Sequence, residues 1–384
     1  MPSRMWNLNK ALVTSLLCIS ALSSSPWPCT AAGQLGGKPL VTAVTKDAST
    51  SLYTAPLKDG HPLVLDLTSP VISLATCASS SKNNNGTLTA TLSANATDGQ
   101  NPLFPVSFSA VATCAPSSKL PAGAGAVGVA GLAPSSSSQQ SLPAQVARTQ
   151  KVADKVALCL PSDGRSTSGD SVGVAIFGGG PLFFVPPDRG DFTTMLAGTA
   201  PLHAGAGAGA PGYYVSSTGI AVEQARVGGP RGALVVALSS TVPYTALRPD
   251  VYAPFVKAFD AAAAGPNFPW MSRVAAVAPF DRCYDSTKLP QSLLGYAVPQ
   301  IDVMLEGGQN FTVLGGNSMV QVNANTACLG FVQAPGQAPA AVIGGFQLEN
   351  HLLLLDVDKK QLGFTTFLNA IGLSCSSFNF TLAS

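Results

Sequence analysis

The sequence predicts a mostly β protein built as two related lobes facing each other across a cleft, with few and short helices. Three observations carry that expectation. Apolar runs are repeatedly divided by Gly, Pro and Ser clusters, which is how short strands joined by turns read, not how long amphipathic helices read. Phrases of the first half return in the second: LVLDLTSP is answered by VVALSSTVP, and GVAGLA, from Gly128 to Ala133, by AVIGG, from Ala341 to Gly345. Between the halves, HAGAGAGAPG from His203 to Gly212 has too little apolar content to pack and reads as a linker or a long surface loop.

Taken in order, the chain opens with Arg4 and Lys10 ahead of an apolar run from Ala11 to Leu22, followed by the small residues Thr30 and Ala32. That order reads as a secretory signal peptide over residues 1–32, the run being shorter than the roughly 20 residues a membrane span needs. SLYTAPLKDGHPLVLDL then sets the runs Leu52 to Leu57 and Leu63 to Leu67 on either side of Asp59-Gly60, a hairpin signal because both turn residues must tolerate positive φ. Asp66 falls at the end of the second strand. Ser141-Leu142-Pro143 can cap a helix over Ala144 to Val152, and Pro249-Asp250 can open one over Val251 to Ala264 whose Phe255 and Phe259 share a face. The expected division is a first lobe over 33–188, a linker over 189–212 and a second lobe over 213–384.

With 384 residues, 46% of them hydrophobic and 10% charged, the chain can bury a sizeable core. Its 21 Lys+Arg against 19 Asp+Glu leave a formal charge of +2, without the clustered basic surface that nucleic acid or an anionic membrane requires. A monomer with neither of those partners is expected. Of the eight cysteines, Cys18 and Cys29 fall in the leader, and Cys77, Cys114, Cys159, Cys283, Cys328 and Cys375 remain. An even number in an exported chain favours disulfides over a zinc site but leaves about 15 pairings open. Asn85, Asn95, Asn310 and Asn379 each head an N-x-T sequon. His61, His203 and His351 lack a His or Cys partner at metal-ligand spacing, and no Gly-Lys-Ser/Thr follows the Gly178 to Gly180 run. Neither a metal nor a cofactor is expected, and no paired carboxylates stand out for glycosidase chemistry.

AVIGGFQLENHLLLLDVDKKQLGF, from Ala341 to Phe364, resembles the closing stretch of pepsin-type aspartic peptidases, and GVAIFGGG (Gly173 to Gly180) and GVAGLAPSSSSQQSLPAQVA resemble elements of their first lobe. Longer phrases, among them LPAQVARTQKVADKVALCLP, PYTALRPDVYAPFVKAF, VAPFDRCYD, LLGYAVPQIDVML and NSMVQVNANTACLGF, are similar to one plant branch of that family. It holds the wheat-type xylanase inhibitors, the xyloglucanase inhibitors and the basic 7S globulins. The resemblance spans most of the chain after the leader. It implies the bilobal pepsin-like fold, two β-barrel-like lobes flanking a cleft, with a bridge between Cys283 and Cys328 and with Cys375 tied back to the first lobe.

In that family each lobe offers an aspartate followed by Thr/Ser-Gly, and the two carboxylates share one proton, one acting as base and the other as acid. By motif Asp66 stands for the first and Ser239 for the second, with no acidic residue between Glu223 and Asp250. A hydroxyl supplies neither a carboxylate's charge nor its pKa. Leu67 puts bulk where the family has a hydroxyl, and the stretch after Cys77 is short, Asn- and Ser-rich, with no Tyr-bearing hairpin of the kind that closes over substrate. The resemblance therefore implies a protein that binds without cutting: an apoplastic plant-defence inhibitor whose partner is a microbial cell-wall glycoside hydrolase of endo-xylanase type. In the wheat-type group a leucine before GYAVP and a histidine near the C-terminus enter the enzyme's cleft. Leu293 keeps the leucine, while no histidine follows Gly363. Two other classes stay open: an active aspartic endopeptidase, and a wall-associated or storage protein without inhibitory action.

Overall fold

The computed structural model describes residues 37–75, 77, 86–121, 125–134, 140–162, 172–185, 190–204, 210–230, 232–336 and 339–383. The expected leader over 1–32 and the sequon residue Asn85 lie outside them. The first half begins with β1 (Leu40–Lys46), β2 (Tyr53–Lys58) and β3 (His61–Asp66). β2 and β3 form the hairpin read from Asp59-Gly60: Lys58 pairs with His61, and the two turn residues take φ of 51° and 79°. β4 (Ile72–Leu74), β5 (Thr87–Ala96), β6 (Phe104–Cys114) and β7 (Gly128–Gly131) follow. β5 alternates buried Leu88, Ala90 and Leu92 with exposed Thr89 and Thr91, the period of two that a sheet with one wet face requires.

β3 runs parallel to β7 with Asp66 opposite Gly131, and β4 lies antiparallel to β7 and parallel to β6. Gly131 is there because the backbones approach too closely for a side chain: a Cβ would sit 2.3 Å from the carbonyl oxygen of Val71. α1 (Leu142–Gln150) starts after Ser141 with Pro143 in its first turn, where the missing N–H costs nothing. Gln145 fastens it to β6, its Oε1 accepting the Val111 N–H at 2.6 Å and its Nε2 donating to the Val111 carbonyl at 2.9 Å. β8 (Lys155–Cys159), β9 (Val172–Phe177) and β10 (Gly198–Ala204) lead into the second half. β10 falls within 189–212, and residues 205–209 of the Gly-Ala run lie outside the described ones.

The second half opens with β11 (Tyr213–Val222), β12 (Ala225–Arg226), β13 (Leu234–Leu238) and β14 (Thr245–Leu247). Next comes α2 (Pro249–Ala263), whose Phe255 and Phe259 are fully buried as their shared face predicted. β15 (Arg273–Val274), β16 (Cys283–Asp285), β17 (Gln291–Ser292), β18 (Gly295–Tyr296), β19 (Ile301–Leu305) and β20 (Asn310–Val313) lead to the short α3 (Gly315–Ser318). β21 (Met319–Asn323), β22 (Thr326–Leu329), β23 (Phe331–Gln333), β24 (Ala341–Ile343), α4 (Gly345–Leu348), β25 (Leu352–Asp356) and β26 (Gln361–Phe364) complete it.

β13 runs parallel to β24, while β14 is antiparallel to β24 and parallel to β23. That is the relation β3, β7, β4 and β6 have to one another, so the echo of phrases is an echo of topology. Gly344 repeats the role of Gly131, since a Cβ on it would lie 2.5 Å from the backbone of Tyr244. Strands of both halves then join in one antiparallel sheet in the order β10, β26, β25, β8, β9, β1. Leu352 to Leu355 of β25 are all buried, the unbroken apolar run of a strand covered on both faces. The fold is the two-lobed, mostly β architecture the sequence predicted. Cys283 and Cys328 face each other across β16 and β22 and are bonded, Cys375 is bonded to Cys159 at the end of β8, and Cys77 to Cys114.

Candidate functional site

The ends of β3 and β13 meet. Ser240, directly after Ser239, is buried, and its Oγ accepts the Leu67 N–H at 3.1 Å while donating to the Leu65 carbonyl at 2.7 Å. One serine of the second half thus satisfies two backbone groups of the first. Leu67 cannot return the contact, having no hydroxyl, and its side chain is fully buried in the core. Within each turn the first residue caps its own loop. Asp66 Oδ1 accepts the Thr68 N–H at 2.8 Å and the Thr68 hydroxyl at 2.6 Å, and Ser239 Oγ accepts the N–H groups of Thr241 at 3.3 Å and Val242 at 3.1 Å. The turns have matching geometry and unlike chemistry. One offers a half-buried carboxylate and the other a buried hydroxyl, which together do not form a proton-sharing acid–base pair. The segment in which a closing hairpin would stand runs from Cys77 to the start of β5 at Thr87, and its residues 78–85 lie outside the described ones.

Leu293 lies at the tip of a ribbon. β17 and β18 pair Gln291 with Tyr296 and Ser292 with Gly295, so Leu293 and Leu294 are the two residues of the turn. Leu293 is 69% exposed and Leu294 39%, although an aliphatic side chain gains free energy by leaving water. The ribbon stands on α3 through three glycines. Gly295 has φ 86° and would place a Cβ 2.0 Å from the Gly316 nitrogen, and a Cβ on Gly315 would fall 1.8 Å from the Tyr296 oxygen. The Gly316 N–H donates to the Leu294 carbonyl at 2.7 Å, and the Phe367 ring lies where a Cβ on Gly316 would fall. In the segment between Phe364 and Cys375, within which the resemblance implies a histidine, the turn Leu368–Ile371 presents Ile371, 40% exposed.

Among the other marked residues, Asn310 and Asn379 are exposed and Asn95 is partly covered. His61 and His203 are exposed, whereas His351 is buried and its imidazole pKa is pushed down to about 4 by desolvation. Among the described residues no group of three or more His, Cys, Asp or Glu is placed to hold a metal ion. Sequence reasoning missed Ser240, Leu294, Ile371 and the Gly295, Gly315, Gly316 contacts. LGG at Leu314 to Gly316 was the one signal for the last, and its partner lies twenty residues earlier.

Residues 58–179 match the family described as xylanase inhibitor N-terminal, and residues 212–366 the one described as xylanase inhibitor C-terminal. The chain is 48% identical over 435 aligned residues, covering 97% of itself and 99% of its relative, to a rice protein named "Chitinase CLP". It is 32% identical over 280 residues, covering 67% and 60%, to a protein of Nicotiana benthamiana named "Probable aspartic proteinase GIP2". Among solved structures, "Crystal structure of edgp" superposes with a TM-score of 0.76 at 26% identity, covering 92% of this chain and all of that one. With the paired β3/β7 and β13/β24 units, these findings place the chain in the xylanase-inhibitor and basic 7S globulin branch of the pepsin-like proteins.

Proposed function

We propose that this is an exported, non-proteolytic member of that branch which binds and inhibits a microbial cell-wall glycoside hydrolase, of the endo-xylanase type or close to it, in plant defence. The observation that carries the reading is the Leu293-Leu294 tip, an exposed apolar pair held on a braced ribbon. A preorganised aliphatic knob is what a sugar-binding cleft can enclose, and a few such buried anchors dominate the affinity of protein complexes. Loss of the second carboxylate at Ser239 supports the absence of peptide cleavage. The rest of the reading is a monomer with a cleaved leader over 1–32, lobes over 33–188 and 213–384, and N-glycans at Asn85, Asn95, Asn310 and Asn379.

Purified protein titrated against a panel of fungal and bacterial xylanases and other wall glycosidases tests this directly. At least one enzyme should be inhibited, Leu293→Ala should weaken that inhibition at least tenfold, and denatured protein substrates should stay uncut at acid pH. Inhibition by no enzyme of the panel, or pepstatin-sensitive proteolysis abolished by Asp66→Asn, sinks the reading. A second reading, chitin hydrolysis, is favoured by the near full-length similarity to the rice protein named a chitinase. It predicts turnover of chitin oligomers by the purified protein, and none is expected under the first reading.

A further inference from the structure

Behind the Leu293-Leu294 ribbon the brace continues inward to a buried histidine. Asn317 of α3 is fully buried, and each of its side-chain atoms has work in one orientation only. Its Oδ1 accepts the Leu314 N–H at 2.9 Å, capping α3, while its Nδ2 donates to the Gln347 carbonyl at 3.1 Å and faces His351 Nε2 at 2.9 Å. His351 Nδ1 lies 3.1 Å from the Thr365 carbonyl, an acceptor, so the proton is on Nδ1 and Nε2 accepts from Asn317. The ring packs against Phe311 and Phe367, with centroids 4.8 Å and 5.7 Å away, and Phe367 is the ring that lies against Gly316. A chain of contacts therefore runs from His351 through Asn317 and Phe367 to Gly316, whose N–H holds the Leu294 carbonyl.

We propose that His351 is a positioning residue for the Leu293-Leu294 ribbon and makes it acid-labile, a proton on Nε2 unlocking α3 and with it the tip. That the tip meets a target rests on the proposed inhibitory function; the coupling itself does not. A proton on Nε2 sets a donor against the donor Nδ2 of Asn317. Turning the Asn317 amide over does not relieve this, because it would set Nδ2 against the Leu314 N–H and Oδ1 against the Gln347 carbonyl. The brace must open. The groups facing the imidazole are Phe311 from β20, Asn317 from α3, and Thr365 and Phe367 from the segment after β26, none of which titrates. The nearest carboxylate in sequence, Glu349, is held by Lys46 and Tyr53.

The sign follows from linkage. Burial holds the folded His351 near 4, below its ordinary 6.5, so an opened state takes up the proton first as pH falls. Opening is unaffected above about pH 7, is favoured by up to about tenfold per pH unit between 6.5 and 4, and levels off below. By pH 5 the gain is on the order of thirtyfold.

Amide hydrogen exchange on the intact protein, corrected for intrinsic rates between pH 4.5 and 7.5, reads this without any target enzyme. Protection of Gly316 should fall about thirtyfold from pH 7.5 to 5, while amides of the β5–β6 hairpin change little. In His351→Gln, which carries no titratable ring, the pH dependence at Gly316 should vanish. If that variant does not fold, an NMR titration of the wild-type ring should show the Gly316 amide shift moving with His351. Equal pH responses at Gly316 and β5–β6, a response kept in His351→Gln, or a Gly316 shift independent of the ring overturns the proposal. Because no inhibition is measured, failure to find a target would leave this result standing.

Discussion

Ser240 joins the two halves at one atom, and its loss should be felt as a pair of orphaned backbone groups. In Ser240→Ala the Leu67 N–H and the Leu65 carbonyl stay buried without that partner, and the expected cost is about 1–3 kcal/mol, read as a lower urea midpoint at unchanged slope. The neighbouring change tests chemistry. Ser239→Asp supplies the missing carboxylate, yet Leu67 still leaves the facing turn without a hydroxyl, so no pepstatin-sensitive cleavage is expected between pH 3 and 7, measured on a denatured protein substrate. Asp66 and Ser239 could be marked in the sequence because each sits in a repeated phrase. Ser240 could not, because a hydroxyl serving a turn 173 residues away leaves no local pattern.

At the scale of elements, the legible parts were those whose cause is local. The Asp59-Gly60 turn and the starts of α1 and α2 at Ser141-Leu142-Pro143 and Pro249-Asp250 each follow from neighbours in the chain. The ribbon carrying Leu293 was opaque for the opposite reason. Its strands have two residues each, too short for a period, and its rigidity comes from glycines that read as ordinary turn residues. The brace and the tip should separate experimentally. Leu293→Ala removes an exposed side chain and should leave stability within about 0.5 kcal/mol, so any lost inhibition is lost contact. Gly315→Ala drives a methyl into the Tyr296 carbonyl and should cost about 1–3 kcal/mol while also weakening inhibition, although Leu293 is untouched. Thermal melts and inhibition curves on the same two proteins check both statements.

At the scale of the molecule, the six-stranded sheet was the part of the fold least visible beforehand, since it pairs strands as distant as Lys155 and Asp356. The same sheet carries a buried ion pair between distant segments. Lys46, at the end of β1, sets its Nζ 2.6 Å from Glu349 Oε1, just past α4, with side chains 5% and 3% exposed, and the Tyr53 hydroxyl donates to the same oxygen at 2.6 Å. Taking two charges out of water costs several kcal/mol per ion, which mutual attraction offsets only while both remain. Lys46→Met should therefore destabilise by about 3–5 kcal/mol, because the Glu349 carboxylate loses its cation and keeps its burial. The double change Lys46→Met with Glu349→Met removes the desolvation along with the attraction, and should recover at least half of that loss. Urea unfolding of the wild type, both single variants and the double variant closes the cycle. A double variant as unstable as the sum of the singles would mean that Lys46 and Glu349 are not coupled.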